Sequence, residues 1–479
     1  MTEITSMTNT HWMARVRDIR GALRPAARTS AVALMLLAVV AGCSTDKVLE
    51  VQDPDVLAPA TLNTPEALPT VIAGAVGNFE VAYQGPGDGN ESSGQIGYSG
   101  LLADEFISSG TFPTRHEIDQ RHIAVDNGSN ETMFDRLARA RAAADLAARR
   151  FAQFAPDSAN HALALALDGE ATVLFGENYC SGVPFSTIED DGSLTFGSPL
   201  STAEIFQRAV AKFDTALTVA DITDEFRDLA QVGKGRALLD LGQFADAAAA
   251  VAGVPDDFSY VIESSANTTR EANGVWWFQY VIARLSLGDK EGGNGLDYIS
   301  SNDPRIPVIV PTNSKGQQQR GQDGSTPLFE QAKYPTRDAD VPLATGIEAR
   351  LIEAEAALQA GDDPTFLAKL NAARAAALAS VEAVTGDTAT LPALTVADIP
   401  DQNAKVNLLF RERAFDLWLT SHRLGDLRRL IRQYGRTAGQ VFPTGPWFKG
   451  GAYHDDVSMR VPQHEQNNPN FTSCDPTVA

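Results

Sequence analysis

Near its C-terminus the chain reads VNLLFRERAFDLWLTSHRLGDLRRLIR, Val406 to Arg432. The first half has helical periodicity: Leu408, Phe415 and Leu419 share one face, and Phe410, Ala414 and Leu417 cover the next. Little of the circumference is left for water, so this stretch predicts a core helix broken at Thr420-Ser421-His422.

Into that apolar run are set Arg411, Glu412, Arg413 and Asp416, followed after the break by Arg423, Asp426, Arg428 and Arg429. Charges on a buried helix are tolerated only when paired and hydrogen-bonded, so arginine forks bridging Glu412 and Asp416 to neighbouring segments are expected. Glu412 and Asp416 stand four residues apart and repel each other unless arginines lie between them. The reading is a structural ion-pair network of Arg411, Glu412, Arg413, Asp416, Arg423 and Asp426, weighed against a catalytic acidic pair.

The same residues carry a resemblance. Arg411, Arg413, Arg423, Asp426, Leu427 and Arg429 are similar to the C-terminal signature R-x-x-E-L-x-x-E-G-x-R-x-x-D-L-x-R of the SusD/RagB family. Thr420-Ser421 replaces the usual Glu-Gly. Asp303-Pro304-Arg305, Lys333-Tyr334 and Glu348 to Ala356 resemble the family's middle region, and Arg460 to Glu465 through Asn468-Pro469-Asn470 resembles its closing segment. The resemblance implies a mainly α, SusD-like fold. It further implies a surface lipoprotein that captures an oligosaccharide or peptide and passes it to a TonB-dependent, SusC-like outer-membrane transporter, with no cofactor and no catalytic residue of its own.

The N-terminus gives an independent address. Residues 1–42 hold five Arg and two acidic residues, and Ala31 to Ala41 is an apolar run too short to span a bilayer. Val40-Ala41-Gly42-Cys43 resembles the bacterial lipobox. Residues 1–42 are therefore expected to be a signal peptide cleaved before Cys43, which is the expected lipidation site. Residues 43–60 are then expected to be a lipidated tether and 61–479 one ligand-binding domain, and the family resemblance implies that it sits on the outer membrane facing the cell exterior. Losing the leader takes the net charge from −22 to −25, and no segment shows a basic patch, which argues against nucleic acid as a partner. Beyond Cys43 only Cys180 and Cys474 remain, and an even pair in an exported protein predicts a long-range disulfide between them.

The body reads as helix pairs with long insertions. Glu131 to Phe154 and Ala162 to Phe175 form a hairpin, with Asp157 or Ser158 as cap, and Ala203 to Leu217 pairs with Phe226 to Leu241. The turn Leu241-Gly242-Gln243-Phe244 resembles that of a tetratricopeptide repeat, and is repeated at Ile282 to Gly288-Asp289 and at Glu348 to Ala360-Gly361-Asp362. Irregular spacing predicts degenerate tetratricopeptide-type pairs carrying long loop insertions, chiefly Val81 to Ser129 and Gly292 to Gly346.

No His or Cys spacing suits a metal, and Walker-type and Gly-x-Ser-x-Gly motifs are absent. Glu189-Asp190-Asp191-Gly192 reads as a solvated turn. Binding candidates are aromatic: Trp276, Trp277 and Tyr280 opening a helix expected to run to Leu287, and Trp447, Phe448 and Tyr453 in a Gly-rich loop where rings have little reason to be buried. Consecutive aromatics on a helix cannot all face the core, so at least one should face outward. Two rival readings stand beside the transporter partner: a lipid-anchored glycoside hydrolase with a carboxylate pair, and a helical scaffold that binds only protein.

Overall fold

Helix propensity and apolar spacing make twelve main helices in a computed structural model that describes residues 59–87 and 94–479. The leader, Cys43 and nearly all of the tether lie outside the described residues. In chain order the helices are α1 (Leu68–Tyr83), α2 (Gln95–Leu102), α3 (Pro113–Asp119), α4 (Gly128–Phe154), α5 (Ala159–Asn178) and α6 (Thr202–Ala216). They continue as α7 (Asp224–Asp240), α8 (Phe244–Val251), α9 (Gly346–Ala360), α10 (Asp363–Thr385), α11 (Gln402–Asp416) and α12 (Arg423–Arg432). The stack runs through neighbours in sequence: α4 on α5, α5 on α6, α6 on α7, α7 on α8 and α9 on α10. This is the stacking expected of degenerate helix pairs, with α1 laid against α4 and α8 against α9.

Local chemistry places the ends. Ser158, not Asp157, caps α5 by accepting from the Asn160 amide, and Ser201 with Glu204 forms a capping box on α6. Two of the three repeat turns close as read: Gly242 and Gly361 adopt left-handed φ of 72° and 71°, which a side chain would resist. The third does not. Residues 285–287 form a strand antiparallel to Phe106–Ser108, and Gly288 donates to Glu105 O instead of ending a helix. The pattern Leu-x-Leu-Gly cannot distinguish the two, because a buried strand and a helix end are both apolar here.

Val81 to Ser129 is also more ordered than its composition suggested. It holds the end of α1, all of α2 and α3, and the strand Phe106–Ser108. Every residue of α2 is buried, so packing overrides its Gly and Ser content. Residues 292–346 do form an irregular excursion, crossed by the short ladders 308–309 with 330–331 and 259–262 with 341–345.

The signature stretch lies at the centre. Every residue from Glu412 to Leu430 is buried, and α12 packs on α5. Helix α11 stops at Asp416, earlier than the periodicity suggested, and Leu417 to His422 form a buried turn in which Leu419 and Ser421 have φ of 56° and 62°. Ser421 stands where the related signature carries Gly, the residue that takes this conformation without strain. Its hydroxyl meets Ser99 Oγ at 3.0 Å, which helps hold the turn. Cys180 is bonded to Cys474, 294 residues away, fastening the C-terminal segment to the end of α5.

Candidate functional site

Charge in the signature stretch is consumed internally. Arg305 Nη1 donates to Glu412 Oε2 at 2.6 Å and Asp416 Oδ1 at 2.7 Å, while its other nitrogens grip Asp303. Arg413 and Arg429 converge on Asp426, Arg429 also forks onto Glu355, and Arg423 onto Asp104. Arg411 stays apart, pairing with Asp297 at the half-exposed edge. Arg428 has no carboxylate partner among the described residues; it donates to the Gly176 and Glu177 carbonyls at the end of α5, and burial pushes its pKa down to about 9. Burial pushes Asp416 up to about 7 against the pull of Arg305, whereas Asp426, equally buried, is held well below the usual range by Arg413 and Arg429. Most of this charge is spent inside the fold, so the stretch is chiefly scaffold, with Asp416 Oδ2 left unpartnered.

The aromatics behave differently. Asn273 accepts from the Trp276 amide at 2.9 Å and starts a short helix, Gly274–Trp276, which widens at once into a π turn, Trp277–Val281, and ends at Ala283 with φ of 47°. The expected helix to Leu287 is therefore absent, and the wide turn sorts the rings. Phe278 is buried and Trp277 packs against the core, but Trp276 and Tyr280 are half-exposed and stack on each other, centroids 6.2 Å apart at 19°. Tyr280 is pinned by donating to Gln331 O at 2.5 Å.

From the buried Phe278 a run of contacts leads to the second aromatic group. Arg115 sits over both Phe278 and Phe112, at 5.0 and 4.5 Å, and Arg284 covers Phe112 at 4.4 Å. Lys449 donates to Gly110 O and pairs with Asp323 at 2.6 Å; together with hydrogen bonds from Thr326, and despite burial, this holds Asp323 well below the carboxylate range. The Gly-rich loop is not a free display of rings. Trp447 and Tyr453 are only 6% and 8% exposed, and Phe448 alone, at 43%, faces solvent. The loop is drawn inward because His454 N donates to Gln120 O, Arg121 donates to Pro443 O, and the Trp447 indole packs on His116 at 5.2 Å.

Beneath the loop lie a buried acid, Asp119, and a half-buried one, Glu291. Asp119 is pushed well up by burial and by the nearby Glu291, with the Ser108 amide and Trp447 indole N–H opposing. Burial raises Glu291 to about 7, against the Tyr453 hydroxyl that donates to it. The outward rings of the two aromatic groups are thus Trp276, Tyr280 and Phe448, with Phe112, an aromatic of the first long insertion, covered by Arg115 and Arg284.

A concavity of about 680 Å³ shares no lining residue with either aromatic group. It lies between α10, residues 256–261 and 340–348, and the turn after α11, and reaches the signature network at Arg305, Asp416 and His422. Its segments are too scattered for any local motif to announce it. Among the described residues no cluster of His, Cys, Asp and Glu is arranged to hold a metal, and no helix is long and apolar enough to cross a membrane.

No family model and no curated protein sequence matches the chain. Solved structures do. A SusD superfamily protein from Bacteroides thetaiotaomicron superposes with TM-score 0.61 at 14% identity, covering 85% of this chain and 99% of its own. One from Bacteroides fragilis gives 0.59 at 15%, covering 86% and 99%. A SusD-like carbohydrate binding protein from Bacteroides vulgatus gives 0.56 at 14%, covering 85% and 97%. The chain therefore has the SusD-like fold across nearly its whole described body.

Proposed function

We propose, with the SusD-like fold as premise, that the chain is a lipid-anchored surface protein that captures an extracellular oligosaccharide and delivers it to a TonB-dependent transporter. The observation that carries glycan capture is the half-exposed Trp276–Tyr280 stack. A rigid pair of ring faces beside polar groups suits the apolar face of a sugar ring and costs little side-chain entropy on binding. The carbohydrate-binding relative of the same fold supports that ligand class over peptide. Cys43, following Val40-Ala41-Gly42, supplies the anchor, and the leader before it the export signal. No chemistry is assigned to the chain: transport energy would enter through the barrel, and the protein's part is differential binding in open and closed states.

Two experiments test this. Titration calorimetry against a panel of soluble oligosaccharides should find saturable binding without turnover, lost in Trp276→Ala while the fold is kept. Hydrolysis of a bound glycan, abolished by one Asp or Glu substitution, would replace this reading with the glycosidase. Affinity purification from detergent-solubilised outer membranes should recover a large β-barrel partner; recovery of the chain alone would remove the transporter from the proposal.

A further inference from the structure

The 680 Å³ cleft has the size and composition of a small-molecule site. Its walls are apolar: Phe258, Pro342, Leu343, Ile347 and Phe415 face the alanine side of α10, including Ala372 and Ala376. Its floor is polar, and its floor groups differ sharply in how well they are satisfied. Arg305 is saturated by Asp303, Glu412 and Asp416, and His422 lies 3.0 Å from Glu348. Lys333 is the exception among the lining cations. Among the described residues its ammonium makes one hydrogen bond, to Trp418 O at 2.5 Å, and has no carboxylate within ion-pair distance, so further N–H donors remain for a ligand. Beside it, Asp416 is buried with its Oδ2 unpartnered, a second polar atom awaiting a partner at the same floor. At the mouth stand Asp256, Asp257 and Asp340, which disfavour any second negative charge.

We propose that this cleft is a second binding site, separate from the aromatic face, for an apolar-bodied monocarboxylic acid whose carboxylate is held by Lys333. The acid's chain or ring fills the space between α10 and the 341–345 strand, and its single charge sits where the protein presents an under-bonded cation away from bulk water. Near neutral pH the Asp416 carboxyl is part-protonated and supplies an O–H to the ligand's other oxygen, since burial lifts it to about 7. The inference does not depend on glycan capture, because no residue is shared between the sites.

The test uses 3-phenylpropionate and its primary amide as probes, titrated calorimetrically into the full chain in detergent. The acid should bind saturably, and the amide about tenfold more weakly or worse, the loss expected when a charge-assisted hydrogen bond becomes a neutral one. Lys333→Met should bring the acid down to the level of the amide. Ala376→Phe, which fills the cleft from the flank of α10 without touching the floor, should abolish both, and it decides the matter should Lys333→Met fold poorly. The proposal is overturned by the absence of saturable acid binding, by equal affinity for acid and amide, or by binding that survives Ala376→Phe. Acid binding lost in Trp276→Ala would overturn it equally, by placing the probe on the aromatic face.

Discussion

Arg305 holds its guanidinium between Asp303, Glu412 and Asp416, whereas Trp276 and Tyr280 turn stacked ring faces away from the core. Both sets are residue types that bind ligands in many proteins. The difference lies in what is left over. In the signature stretch the buried charges are spent mainly on one another and on backbone carbonyls, so they specify how α9, α10, α11 and α12 meet. On the aromatic face the polar tips are tied down, as by Tyr280 on Gln331 O, while the π surfaces stay partly bare. A saturated network is scaffold; an anchored but uncovered surface is a site.

The largest expected break in this contrast is Arg305→Met. It leaves Glu412 and Asp416 buried beside each other, with Arg374 on Glu412 and Lys333 near Asp416 as the remaining cations, and should cost about 3–5 kcal/mol in chemical denaturation. Any fraction that stays folded should bind glycan as the parent does. Normal stability in this variant would mean the network is not the keystone described.

Next in size is the disulfide. Cys474→Ser frees a tail otherwise closed onto α5 across 294 residues of sequence, and a loss of about 2–4 kcal/mol is expected. Limited proteolysis should then clip the segment after Val457 first, with the Trp276–Tyr280 pair undisturbed. Early cleavage around 273–284 instead would show that tail and face are coupled.

How much of this was legible in the sequence follows the same division. The scaffold was readable because its signals are local or self-consistent: helix periods, Gly242 and Gly361 at the turns, and charges that had to find partners inside an apolar helix. The exception is instructive, since 285–287 looked like a helix end and became a strand by pairing with 106–108, a partner nearly 180 residues away. The face was legible only in composition. Nothing within residues 445–453 reveals that Trp447 is buried, because His116 and Gln120 bury it from the other end of the chain. For the same reason the cleft floor at Lys333 had no signature of its own.

On the face itself, Trp276→Ala is expected to weaken oligosaccharide binding roughly tenfold or more while changing stability by only about 1 kcal/mol, because the ring is half-exposed and outside the core. Phe278→Ala, two residues on, should do the reverse, costing about 3–5 kcal/mol of stability, because that ring is fully buried. The pair tests the sorting of rings by the π turn. If both variants lose binding and neither loses stability, the rings are not divided as described.

The smallest effect concerns the loop that closes over Asp119 and Glu291. Burial raises Glu291 from its ordinary 4.5 to about 7, so its contribution to stability is complete below pH of about 4.5 and is lost as pH rises through about 7. Glu291→Gln removes this titration while keeping an oxygen that can accept from Tyr453. The melting temperature of the variant should therefore fall less than that of the parent between about pH 5 and about pH 8. Asp416 and Glu105, also raised to about 7, titrate in both proteins and cancel in the comparison. An unchanged difference would mean that Glu291 is ionised throughout, and that Tyr453 is held by a charge rather than by a shared proton. The face would then resemble the signature network, a set of fixed ion contacts, and the contrast between the two regions would narrow to Trp276, Tyr280 and Phe448 alone.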